Sequence, residues 1–188
     1  KGWWELKAVG LIDRLPKIDC AQSLGSAAIS RTVHRIRNSE STNVRWSAVD
    51  VETVNASTVA DSISVDRPRD GLAAVRAIIE SGGEAIAVPD ADILAAIPEM
   101  ASLSGVFPEP AAAAPWAAVK QLVSDGKIAA DELVVCLVSG NGLKDVAAAQ
   151  SAVGQPQLID LSLDAVKAAV FDNRPAPARK RTESSKHR

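Results

Sequence analysis

The residues best placed to do chemistry lie close together in Leu133 to Asp145, which read LVVCLVSGNGLKD. Ser139 offers a hydroxyl that donates and accepts hydrogen bonds. Gly140 and Gly142 let backbone come close to a ligand, or they form no more than a tight turn. Upstream, in GVFPEPA, Glu109 has two readings. It complements the positive end of a helix that Pro110 begins, or it lines a pocket. Lys144 adds an amine. Cys20 and Cys136 sit in apolar, strand-like runs and read as free buried thiols in a reducing compartment rather than as a disulfide or metal site. His34 and His187 are far apart, with no Cys, Asp or Glu at ligand spacing, so no zinc site is assembled and no catalytic residue is assigned.

Ser139 needs an element to carry it. Leu133 to Val138 is unbroken apolar and too short for most helices, which predicts a central parallel strand covered on both faces. Ligands in open α/β sheets bind beyond the carboxyl ends of the strands, where Ser139 would stand. Short strands are expected over Ile18 to Gln22, Ala85 to Val88 and Gln157 to Leu161. Helical spacing predicts helices over Lys1 to Val9, with Trp3 and Trp4 in the packing, over Ala27 to Arg37 and over Pro68 to Ser81. A further helix is capped by Asp90, with Ile93, Leu94, Ile97 and Met100 inward and a kink at Pro98. Others follow from Pro110, with Pro115 inside, after a cap at Asp145, and after a cap at Ser162 as far as Phe171. Strands alternating with helices give an α/β fold, a mostly parallel sheet with helices on both faces.

The chain has 188 residues, about one domain, of which 47% are apolar and 23% charged, with a formal net charge of -2. That balance gives no general attraction to nucleic acid or to a membrane surface. No apolar run approaches the roughly 20 residues that span a bilayer. The expected setting is cytoplasmic. The opening Lys1-Gly2-Trp3-Trp4 is already amphipathic and carries no cap, so a fragment of a longer protein is expected. Residues 1–172 read as one catalytic-domain portion and 173–188 as a disordered basic tail, with six Lys or Arg against one Glu.

The run ending in SGNGLKD resembles the C-terminal signature of threonine synthases, a strand followed by Thr-Gly-x-Gly-Leu-Lys-Asp. GLIDRLP at residues 10–16, STVADSI at 57–63 and GVFPEPA at 105–111 are similar to further elements of that family. The likeness covers roughly residues 1–149. It implies the C-terminal part of a tryptophan-synthase-β-like fold (fold type II) that uses pyridoxal 5'-phosphate (PLP). It further implies that Ser139, in place of the family's threonine, hydrogen-bonds the cofactor's pyridine nitrogen. The lysine that holds the cofactor would lie upstream of Lys1, so Lys144 is a surface or supporting residue. The implied reaction turns O-phospho-L-homoserine and water into L-threonine and phosphate, with the fragment inactive alone and a homodimer open for the complete protein. Threonine dehydratase-like and cysteate synthase-like lyases, or a non-catalytic α/β domain that binds a phosphate ligand, are the alternatives.

Overall fold

The computed structural model describes residues 1–39, 44–156 and 158–172. The predicted tail at 173–188 therefore lies outside the described residues. The chain divides into two compact units, Lys1–Gly154 and Gln155–Arg188.

The first unit is built on two parallel strands, β1 (Cys20–Ser23) and β2 (Ala85–Val88), in register from Cys20 opposite Ala85 to Ser23 opposite Val88. Side chains alternate across a sheet, so each face meets a different helix pair. Cys20 and Ala85 pack with Val33 of α2 (Ala28–Arg37) and with Val75 and Ile78 of α3 (Gly71–Ser81), numbering α1 as Gly2–Ala8. Ala21, Ile86 and Val88 point the other way. They join Ile93, Ile97 and Met100 of α4 (Asp90–Ser104) and the alanines of α5 (Pro110–Ser124). This is the expected α/β layering. Gly82, in the left-handed conformation at φ 72°, ends α3. Pro98 and Pro115 lie inside α4 and α5, and both helices run on through them. Among the described residues no helix is long and apolar enough to cross a membrane.

Several expectations are corrected. Leu133 to Val138 is extended but belongs to no ladder. Among the described residues, none of the backbone groups of 133–139 takes part in a hydrogen bond. The exposures still alternate: Leu133 at 93%, Val135 at 84% and Leu137 at 78%, against 39% at Val134 and 38% at Val138. The run thus has strand geometry and two apolar faces without the neighbours that make a strand central. It is tied at both ends, by Lys17 to Glu132 at 3.2 Å and by an antiparallel bridge between Asn141 and Pro108. Trp3 and Trp4 are exposed, because α1 buries nothing. The helix expected from Pro68 starts at Gly71. In α5 the buried face consists of alanines with Leu122, while Val123 is exposed.

The remaining helix of the first unit, α6 (Val146–Val153), is capped as expected, with Asp145 Oδ1 accepting from the Ala148 amide at 2.9 Å. In the second unit α7 (Leu163–Lys167) is capped by Ser162 and passes into a π-helical turn, Ala168–Asp172. Residues 158–161 form no strand, and Gln157 lies outside the described residues.

Candidate functional site

The site grows from the meeting of two loops. Residues 105–109 lead into α5, and residues 138–142 follow the bare extended run. The Glu109 amide donates to Gly140 O at 3.0 Å, and the Gly142 amide donates to Phe107 O at 2.8 Å. Between them lies the Pro108–Asn141 bridge. Asn141 Oδ1 accepts from the Leu143 amide at 2.9 Å and starts a 3-10 turn, Gly142–Lys144, which feeds Asp145 and α6.

Both glycines are consumed by this contact. A Cβ at Gly140 would overlap the Glu109 carboxylate, and one at Gly142 would overlap the Phe107 ring. The close approach that glycine was expected to offer a ligand is here made by the protein's own side chains. Glu109 precedes Pro110 at the head of α5, but its side chain makes no capping hydrogen bond. It is only 5% exposed, and its Oε2 lies 2.9 Å from Lys144 Nζ. The carboxylate thus stands at the loop junction as well as at the helix end. Lys144 itself is largely exposed apart from this contact.

Ser139 is exposed on the rim of an open pocket of about 340 Å3, lined by Gly105, Val106, Phe107, Val138, Ser139, Gly140 and Asn141. Among the described residues its hydroxyl has no hydrogen-bond partner. The volume falls at the lower end of the range of small-molecule sites. Cys136, in the run that carries Ser139, is a free thiol whose pKa is raised by burial. Cys20, also free, has its thiol pKa pushed up to about 11 by burial, which disfavours the thiolate.

A second constellation stands at the carboxyl ends of β1 and β2. Asp90 opens α4 two residues beyond β2, but its carboxylate is not a cap. Oδ1 accepts from Ser23 Oγ at 2.7 Å and from Thr58 Oγ1 at 2.6 Å, and Oδ2 accepts from the Val59 amide at 2.8 Å. Burial works to raise its pKa, and the bonds from Thr58, Ser23 and Val59 outweigh it, so the carboxyl is held below the usual range. This knot fixes the 57–63 loop over the strand ends. Sequence reading missed it, although Ser23 and Asp90 each fall just past an apolar stretch, where a parallel strand presents its carboxyl end.

A family model described as pyridoxal-phosphate dependent enzyme matches residues 3–140. The chain belongs to that family. Its similar relatives include a threonine synthase of Methanosarcina acetivorans, 38% identical over 171 residues, or 91% of this chain and 40% of the relative. A threonine synthase of Methanocaldococcus jannaschii is 35% identical over 167 residues, 89% of this chain and 39% of the relative. One from Halalkalibacterium halodurans is 40% identical over 96 residues, 51% of this chain and 27% of the relative. The chain thus spans about 40% of the length of the first two relatives. The residues at the pocket are compatible with a PLP-dependent chain: among the described residues the neutral Ser139 hydroxyl has no hydrogen-bond partner, and Ser139 lines an open cavity of adequate size.

Proposed function

We propose that this chain is the part of a threonine synthase that closes on the ring side of the cofactor, with Ser139 donating its hydroxyl to the pyridine nitrogen. The complete protein would convert O-phospho-L-homoserine and water into L-threonine and phosphate, in a cytoplasmic setting where Cys20 and Cys136 stay reduced. One observation carries the reading: the Ser139 hydroxyl lines a pocket and has no hydrogen-bond partner among the described residues, in a chain whose relatives bear the name threonine synthase.

PLP, when bound, supplies the electron sink for bond changes at the amino acid's carbons. The protein's part here is orientation and electronics. A serine hydroxyl is uncharged and does not hold a proton on the ring nitrogen as a carboxylate would, which leaves the ring a milder sink. Gly105, Val106 and Phe107 wall the pocket beside it. The Asp90 knot keeps Thr58 and its loop over the ends of β1 and β2.

In the complete protein, Ser139→Ala should shift the cofactor's absorption band. It should slow phosphate release from O-phospho-L-homoserine by about fivefold, the rate equivalent of a neutral hydrogen bond worth roughly 1 kcal/mol. An unshifted band would remove Ser139 from the site. A complete protein that releases no phosphate from this substrate would refute the threonine synthase reading.

A further inference from the structure

We propose that Glu109 and Lys144 form an ion-pair latch that positions the Ser139 loop, and with it the hydroxyl offered to the pocket. The inference rests on the cofactor reading of Ser139 but adds two residues that reading does not use.

The geometry is that of a clamp. The Glu109 side chain is 7% exposed and sits directly beneath Gly140, the neighbour of Ser139. A carboxylate so placed has lost most of its contact with water, and a cation beside it offsets part of that loss. That cation comes from the same loop. Lys144 lies four residues beyond Gly140 and reaches Glu109 Oε2 at 2.9 Å. Loop 139–144 therefore covers the carboxylate with backbone at one end and meets it with an ammonium at the other. The ion pair closes only when the loop is docked, and the loop docks over a carboxylate only when the ion pair is closed.

The backbone bonds, Glu109 N–H to Gly140 O and Gly142 N–H to Phe107 O, then hold the loop in register. Asn141 and Asp145 shape the turn from within and do not reach across to residues 105–109 with their side chains. Beside the Phe107 ring packed on Gly142, the Glu109–Lys144 contact is thus the charged tie between these two loops.

Amide hydrogen exchange on the complete protein, freed of cofactor, tests the latch. Lys144→Met should speed exchange at the Gly142 and Glu109 amides by roughly tenfold or more, because local opening becomes easier. Ile78 in α3 should not change. Lys144→Arg keeps the charge and should keep the protection. If Lys144→Met leaves a buried carboxylate that unfolds the chain, Ile78 will report it, and Glu109→Gln/Lys144→Met, which buries no lone charge, takes its place with the same expectation. Wild-type exchange at Gly142 in the folded single or double variant overturns the latch. Loss of protection in Lys144→Arg overturns it too, since shape rather than charge would then hold the loop. A second arm uses the complete protein loaded with PLP. There Lys144→Met should shift the cofactor band in the same direction as Ser139→Ala. Faster exchange in Lys144→Met with an unmoved band, where Ser139→Ala does move it, would overturn the positioning of the hydroxyl, whereas a band unmoved in both variants would sink the cofactor role of Ser139 instead.

Discussion

At Gly140 and Gly142 a single methyl group has a defined obstacle, the Glu109 carboxylate at one and the Phe107 ring at the other. Gly140→Ala should cost about 1–3 kcal/mol, the usual range for overpacking, and urea unfolding would measure it. Ringless space at position 107 should relieve Gly142→Ala, so Phe107→Leu combined with it should be less damaging than the two changes summed. Asp90 gives a second residue-scale expectation. Its folded carboxyl lies below the ordinary range, so its contribution is present above the unfolded pKa. That contribution is lost as pH falls through the folded pKa. Asp90→Asn should therefore destabilise at neutral pH and flatten the acid limb of a stability-against-pH curve; an unchanged limb would mean that the three bonds to Asp90 carry no charge-dependent stability. The caps at Asp145 and Ser162 were legible in sequence because each acts on its immediate neighbours. Ser23 to Asp90 spans 67 positions and Glu109 to Lys144 spans 35, and no local pattern announces such pairs.

Elements were legible in proportion to how much of their character is internal. The helices show their 3.6-residue spacing, and β2 shows a short apolar stretch between Gly83 and Asp90. Two features were not. In α5 the close packing is made by Ala111 to Ala114, Ala117 and Ala118, which a search for large apolar residues overlooks. Small residues let α4 and α5 approach, so Ala113→Leu, at a fully buried position, should lower stability by about 1–3 kcal/mol in thermal or urea melts. The other is Leu133 to Val138. Its composition is that of a strand buried on both faces, yet strand pairing belongs to two segments at once. Reading one of them gives the geometry and leaves the partner unspecified.

At the scale of the molecule, composition announced a mixed α/β chain of roughly one domain, and the arrangement of two strands between α2/α3 and α4/α5 agrees with it. What composition did not announce is how much apolar side chain stays outside, including Trp3, Trp4, Leu133, Val135 and Leu137. The Leu133 to Val138 run follows as a hazard. Six consecutive residues, β-branched or aliphatic apart from one cysteine, carry no charge, proline or glycine. Their main-chain groups have no hydrogen-bonded partner among the described residues. Such a ribbon is a template on which identical copies can stack in register. Produced by itself, this polypeptide should form thioflavin-positive precipitate as its concentration rises, and a Val135→Lys charge set into the ribbon should keep it in solution.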